Sequence, residues 1–524
     1  MANNPYLDQI RTNLPRILAL FDSDGTSSSY GIGDRYYWAW GLIDFANGTF
    51  QGAAHGMARL WRAGLWPYQT PEEHFSARMD AMFEAAKRLT RKDGSLDEAF
   101  PNEGSYCVTA LVAFDLLSAI DLLHTEVDAA QSQRWRTIVA PMVDYLIKAD
   151  ETHAFISNHL ATAVASLLRW HRLTGDTGAE RKALLQLDKI LSYQSTEGWF
   201  KEYEGADPGY QSLCTYYLAD VHFQRSDLRL LEPLCRSIDF LWHFAHPDGS
   251  FGGLYGSRCT RFYYPAGVKA LAKEIPEAAA LAKFMETSIA QKQVVTLSAM
   301  DEPNLIPMFN AYAWAASMAE ERETPEKTDA PLLRLPCQDQ RPMRKQYSEA
   351  GLWLDRGPTH YTIVSTHKGG VVYHFRQAHP PLINAGVVVR NAQGRLGSTQ
   401  GLNPCNTVHQ QGEQLEITSQ INTMPKQLPG PIQFLLLRLL SVTAFRSAIV
   451  REWVKRRLVT MLMTRRQFWP VQNHRRIHIG AELQVKDQTT LISGYRVVEN
   501  AGAFVPIHMA SQGYWQVQDE KGRK

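Results

Sequence analysis

With 524 residues, the chain is longer than one hydrophobic core ordinarily supports, so two domains are expected. Hydrophobic residues at 44% and charged residues at 21% are those of an ordinary globular protein, and a net charge of +2 argues against a nucleic-acid partner. The six cysteines are scattered without a C-x-x-C pair and no run of 18 apolar residues occurs, so a cysteine zinc site, a disulfide framework and a transmembrane helix are not expected.

Met1 to Leu20 has no uninterrupted apolar stretch and no cleavage signature, which reads as a cytoplasmic protein with reduced thiols. The aromatic run Asp34-Arg35-Tyr36-Tyr37-Trp38 follows. Tyr37 and Trp38 suit either sugar stacking or the core of the first helix. A turn then recurs: Asn47-Gly48-Thr49-Phe50, Asp93-Gly94-Ser95-Leu96, Glu197-Gly198-Trp199-Phe200 and Asp248-Gly249-Ser250-Phe251. Its glycines are 46, 104 and 51 positions apart, and the polar turn Asp150-Glu151-Thr152 falls in the double gap. A sixth polar turn, Asp301-Glu302-Pro303-Asn304, comes about one period after Gly249.

Between the turns, Ala110 to Leu123, Leu160 to Leu173, Leu184 to Leu191 and Leu228 to Phe244 carry apolar residues at helical spacing. One period of about fifty residues holds two helices and two loops. A lone pair of helices cannot bury its apolar face. Stacking the pairs and closing the stack gives an (α/α) toroid over residues 1–320. Equivalent helix starts then meet at one mouth. They carry Glu103 and Tyr106, Asn158 and His159, Tyr210, Arg261 with Tyr263 and Tyr264, and Asn310.

Charge and proline rise through 321–344, which reads as a linker. Beyond it the pattern alternates. Strands are expected at Tyr361–Ser365, Gly370–Phe375, Gly386–Arg390, Leu415–Thr418, Glu482–Lys486, Thr489–Ser493 and Tyr514–Val517. This is an antiparallel β-sandwich domain over 345–524. One segment differs: 432–466 holds seven Arg and one Lys against Glu452. It reads as a basic amphipathic helical insertion, lying on the inner face of an anionic membrane or packed on the sandwich with a solvated basic face.

A helical toroid followed by an antiparallel β-domain resembles the heparinase II/III-like polysaccharide lyases, which include oligoalginate lyases. Ser157-Asn158-His159-Leu160 resembles the Asn-His element of that family, and Glu204-Gly205-Ala206-Asp207-Pro208-Gly209-Tyr210 its loop that delivers a catalytic Tyr. Arg475-Arg476-Ile477-His478-Ile479, leading to Val485-Lys486-Asp487, is similar to a strand pair of its β-domain. The chain departs from the family at the His-x-His-x-Asp-like element. The stretch here is His367-Lys368-Gly369-Gly370-Val371-Val372-Tyr373-His374-Phe375, in which His367 or His374 would stand for the family His.

The resemblance implies β-elimination on an acidic, uronate-containing polysaccharide. Such chemistry must neutralise the uronate carboxylate, because charge grows there as the C5 proton leaves. Asn158 and His159 suit that role, and Arg258 or Arg261 can pair with the carboxylate. Tyr210, or secondarily Tyr264, suits proton transfer if nearby cations lower its pKa. Tyr263, Glu103, Tyr106 and His374 complete the expected substrate contacts. No metal or cofactor is expected. Two further functions fit the same residues: a uronate C5-epimerase of surface-polysaccharide biosynthesis, and a non-catalytic glycan-binding module.

Overall fold

The computed structural model describes residues 4–152, 154–320, 333–424, 430–459 and 467–498. Helices come first: α1 (Pro5–Leu18), α2 (Arg35–Trp38), α3 (Ala53–Arg62), α4 (Glu72–Leu89), α5 (Tyr106–Leu122), α6 (Ala129–Lys148) and α7 (Ser157–Thr174). They continue as α8 (Thr177–Ser192), α9 (Pro208–Gln224), α10 (Leu231–Leu241), α11 (Pro265–Leu271), α12 (Pro276–Ala290) and α13 (Glu302–Glu320).

Helices α3, α5, α7, α9, α11 and α13 each pack on the next, and α13 returns to α3, so an inner ring closes. Outside it, α6 lies on α5, α8 on α7, α10 on α9, α12 on α11 and α1 on α13, while α4 packs on α6. Burial follows this layering. Inner α5 is buried on every side, from Tyr106 and Val108 to Ala119 and Ile120. Outer α8 buries only the stripe Ala179, Ala183, Gln186, Leu187 and Ile190. A helix walled in by neighbours has no solvent face, whereas one at the rim needs a single apolar stripe. Asn310 of α13 seals the ring. Its Oδ1 accepts from the Gly56 amide at 3.0 Å, and its Nδ2 donates to the Gly52 carbonyl at 3.0 Å. It therefore serves closure rather than the mouth.

Three of the four glycine turns share one conformation, whereas Gly48 lies in the short helical turn Gly48–Gly52 without a left-handed φ. Gly94, Gly198 and Gly249 have φ of +89°, +96° and +84°, and they precede inner helices α5, α9 and α11. A Cβ at Gly94 would stand 2.0 Å from the Pro141 carbonyl oxygen of α6, and one at Gly198 2.2 Å from the Arg236 oxygen of α10. Each such turn needs both a left-handed residue and an approach to the next outer helix that only glycine permits.

Strands follow: β1 (Met343–Tyr347), β2 (Leu352–Arg356), β3 (His360–Ser365), β4 (Val371–Arg376) and β5 (Leu382–Asn384) form one antiparallel sheet in chain order. Then come β6 (Val388–Asn391), β7 (Leu396–Ser398), β8 (Thr407–Gln411), β9 (Gln414–Thr423), β10 (Phe468–His478), β11 (Gln484–Thr490) and β12 (Tyr495–Val497). They form a second antiparallel sheet, ordered β11-β10-β9-β7-β6-β12 with β8 on β9. The first sheet is covered on both faces. Leu352, Leu354, Ile363, Tyr373 and Phe375 pack on Phe240, Phe244 and Tyr255 of the helical part. Trp353, Val364 and Val372 pack on Leu415, Ile417 and Ile477 of the second sheet. The Arg475/Asp487 motif is a cross-strand pair: Arg475 Nε and Nη2 donate to the carboxylate at 2.8 and 2.7 Å, and Nη1 donates to the Gly370 oxygen at 2.8 Å.

The expectation of antiparallel sheets holds, with differences in detail. The strands expected at 482–486 and 489–493 are one strand, β11. Of the linker, residues 333–342 are described and carry a short turn at Pro336–Gln338; 321–332 lie outside the described residues, as does the expected strand Tyr514–Val517. The insertion forms α14 (Pro431–Val442) and α15 (Ala448–Val459), and 460–466 lie outside the described residues. It docks on the helical ring instead of the sheets, and it does so through charged side chains. Arg438 pairs with Asp44 at 3.0 Å, Arg451 with Asp93 at 3.2 Å, and Lys455 donates to the Gly104 oxygen at 2.9 Å. These cations face loops rich in carboxylates and carbonyls, so the expected solvated basic face is turned inward at these three positions.

Candidate functional site

The first turns of inner helices α5, α7 and α9 bring Cys107, Asn158, His159 and Tyr210 to one end of the ring. The loop before α9 is zipped onto the segment before α7. Ser157 N donates to the Lys201 oxygen at 3.1 Å, and Tyr203 N to the Phe155 oxygen at 2.9 Å. That pairing sets Glu202 against α7, where its Oε2 accepts from Asn158 Nδ2 at 2.8 Å. It also holds Tyr203 at φ +57°, a left-handed conformation unfavourable for an aromatic residue. The Arg258 guanidinium stacks on the Tyr203 ring at 4.3 Å.

Asp207 Oδ1 caps α9 by accepting from Tyr210 N at 3.2 Å, and it also binds the Thr260 hydroxyl. Its Oδ2 accepts from Arg258 N at 2.9 Å, which ties the 256–260 loop beside Tyr210. A Cβ at Gly209 would lie 2.1 Å from Thr260 Oγ1, and one at Gly256 2.6 Å from Asp207 Oδ2. Pro208 opens the helix, where no backbone donor is needed.

The electrostatics are displaced throughout. Burial disfavours the His159 cation, yet the Cys107 sulfur and the Glu151 carboxylate, whose Oε2 lies 2.9 Å from Nδ1, hold its pKa well above the imidazole range. Burial raises Glu202 to about 7 against the pull of His159, Asn158 and Arg258. Burial likewise pushes the Tyr210 hydroxyl up, although Arg258 opposes it. The cationic environment expected to lower Tyr210 is present but is outweighed. His159, with 18% of its side chain exposed, and the part-buried Tyr210 and Arg258 keep the cluster open to solvent.

Arg261 lies on the neighbouring loop, where it donates to the Tyr373 hydroxyl of β4 at 3.0 Å. Glu103 stands beside the insertion. Burial and Glu98 raise it to about 7 against Lys455, and its carboxylate accepts from Glu98 N at 3.1 Å and Ala99 N at 2.6 Å. Other expected residues are not brought to the cluster's surface. Tyr264 and Tyr263 are 1% and 0% exposed, in the helical core. Tyr106 turns outward between the rings and accepts from Gln186 of α8 at 2.6 Å. Tyr37 and Trp38 pack in a side cluster with Ile32, Ala46 and Ala85, and Trp38 Nε1 donates to the Leu20 oxygen at 2.7 Å. His374 is buried between the sheets, 2.8 Å from Thr362 Oγ1, and burial lowers it to about 4. His367 sits in the β3–β4 turn with its ring over Gly351, and its carbonyl accepts from Asn403 N at 2.6 Å.

Sequence reasoning missed Cys107, Glu151, Glu202, Tyr203 and Tyr373. Glu151 falls in the polar turn that fills the double gap between the glycine turns, and this was its only signal. Among the described residues, no group of three His, Cys, Asp or Glu side chains stands where it could hold a metal ion.

No family model matches the sequence, and no curated protein matches it significantly. In three dimensions the chain is similar to chondroitin AC lyase of Streptomyces coelicolor A3, with 11% identity, TM-score 0.48, and coverage of 81% of this chain and 65% of that one. It is similar to a Paenibacillus xanthan lyase, with 10% identity, TM-score 0.46, and coverage of 80% and 44%. It is also similar to a family 76 glycoside hydrolase from a bovine Bacteroides thetaiotaomicron strain, with 11% identity, TM-score 0.44, and coverage of 61% and 78%. The chain thus spans less than two thirds of either lyase's length. Likenesses this distant assign no residue a role and give this chain no activity.

Proposed function

We propose that the mouth formed by His159, Glu202, Tyr210, Arg258 and Arg261 binds a uronate-containing glycan and cleaves it by β-elimination. The observation that carries this reading is the split in proton affinity within one cluster: a cation at the solvent-reached His159, a carboxyl near neutrality at the buried Glu202, and a hydroxyl that stays protonated at the part-buried Tyr210. The Asn-His and Tyr elements that resemble heparinase II/III-like lyases are the same residues, which supports the reading independently.

In the proposed reaction, His159 and the arginines neutralise the uronate carboxylate and stabilise the charge that builds there. Glu202, held by Asn158, takes the C5 proton when ionised. The electron pair forms the C4=C5 double bond, the C4–O bond breaks, and the leaving oxygen takes its proton from Tyr210. Asn158 is a positioning residue in this scheme, since its amide is engaged with Glu202.

The test is incubation with a panel of uronate polymers, following an ultraviolet-absorbing unsaturated end and deuterium uptake at C5 together. The lyase reading expects the unsaturated end. Deuterium uptake without it would favour the epimerase reading. Glycan binding with neither signal would leave a binding module.

A further inference from the structure

The α14–α15 segment is turned partly inside out for an element facing water. Two of its cations point at the ring: Arg451 and Lys455 are 4% and 6% exposed. Asn102 Nδ2 donates to the Ser441 oxygen at 2.9 Å, and Phe445 is buried with its ring 5.6 Å from that of Phe100. The outward side is apolar and spans both helices, with Ile432, Phe434, Leu435 and Leu439 on α14 and Ile449 and Trp453 on α15. Ile432 and Leu435 are 72% and 71% exposed, and Ile449 is 84%. So many large apolar side chains exposed on two successive short helices mark an interaction surface.

The rim identifies the partner. Arg446, Arg456 and Arg457 are exposed, and the only acidic residue in 430–459, Glu452, is part-buried beside Arg451 and Lys455. The exposed surface of the two helices therefore combines large apolar side chains with arginines and has no fully exposed acid. A second copy docked face to face would bring these arginines together without a compensating acid. Among the described residues no helix is long and apolar enough to cross a membrane, and each of these helices spans only about 18 Å. Such an element lies in the plane of a lipid surface.

We propose that α14–α15 docks the protein on an anionic lipid bilayer, with Leu435, Leu439, Ile449 and Trp453 among the upper acyl chains and Arg446, Arg456 and Arg457 at the headgroups. The inner side of the segment rests on the 93–104 loop and, through Glu452 and Thr152 at 3.2 Å, on the turn that carries Glu151. Docking holds the lip of the mouth at the membrane plane, where a surface-attached glycan is presented.

The full chain is tested by sedimentation with vesicles of phosphatidylcholine containing phosphatidylglycerol, and with pure phosphatidylcholine. Binding is expected to the anionic vesicles and to fall at high salt. Replacing the three rim arginines by Gln should weaken it on the order of a hundredfold. The double variant Leu435→Asp, Leu439→Asp should abolish it, with an unchanged melting curve and unchanged turnover of soluble oligosaccharide. Turnover reports on the catalytic proposal and sedimentation on this one, so the two fail separately. Absence of binding to anionic vesicles by the native chain overturns the proposal. So does a solution dimer that the double Asp variant dissociates, which would assign the apolar face to a second copy.

Discussion

The ring holds two buried polar clusters, and the contrast between them separates a structural network from a candidate site. The first lies in the ring's interior, toward the second halves of α5, α7 and α9. There Arg169 donates to both oxygens of Asp220 at 2.5 and 2.7 Å and to Asp121 at 3.0 Å, and His55 Nδ1 lies 2.9 Å from Asp115. Burial pushes His55 well below and Asp115 well above their ordinary values, so it disfavours the charged form of each. The second cluster, at the first turns of the same helices, has the same residue types, but its His159 reaches solvent where His55 and Asp115 do not, and it carries a strained Tyr203. Displaced proton affinities alone do not mark a site. Displacement together with access and strain is the better sign.

The widest gap between the clusters is expected in stability. Arg169→Met leaves the buried Asp220 without its ion-pair partner, while Asp121 keeps Arg172, and should cost about 3–5 kcal/mol in urea unfolding. Glu202→Gln should cost far less and should show a pH signature. The folded pKa of Glu202 is raised to about 7 from the ordinary 4.5, so native Glu202 increasingly disfavours folding as pH rises from 4.5 to 7. The Gln variant should therefore gain stability relative to the native chain across that window. An equal, pH-independent loss in both variants would erase the contrast.

An intermediate effect is expected at the scaffold between the clusters. Gly198→Ala forces a side chain into a left-handed turn against the Arg236 oxygen and should cost about 1–3 kcal/mol, read as a lowered melting temperature. The smallest effect is spectroscopic. At neutral pH, histidine nitrogen spectra should show His159 as imidazolium, and His55 and His374 as neutral rings. A neutral His159 would remove the proposed carboxylate neutraliser.

The period of the glycine turns made the ring legible in the sequence, because left-handed turns leave glycine where nothing else fits. Asn158, His159 and Tyr210 were legible as a group for the same reason, since equivalent helix starts must share an end; Arg258 was read only as an alternative to Arg261 for pairing with the carboxylate. Tyr106, Tyr263 and Tyr264 were not separable from them. Residues adjacent along a helix start differ by about 100° in direction, so Tyr106 turns outward while Cys107 turns to His159. Glu202 had no signal because it depends on a loop pairing with residues 155–157 that no local pattern announces. Strand β2 was missed because it is covered on both faces and does not alternate. The insertion was read from its charge count, and its inward-facing arginines could be known only from what they meet.

The most direct test of the central claim measures glycan affinity and turnover side by side for Tyr210→Phe and Glu202→Gln. Both substitutions keep shape and remove proton transfer. Affinity should stay within a few-fold while turnover falls on the order of a hundredfold or more. The native rate should rise with pH through about 7 as Glu202 ionises, and that limb should vanish in the Gln variant. Full turnover in either variant, with native affinity, would contradict the assignment of proton transfer to this mouth.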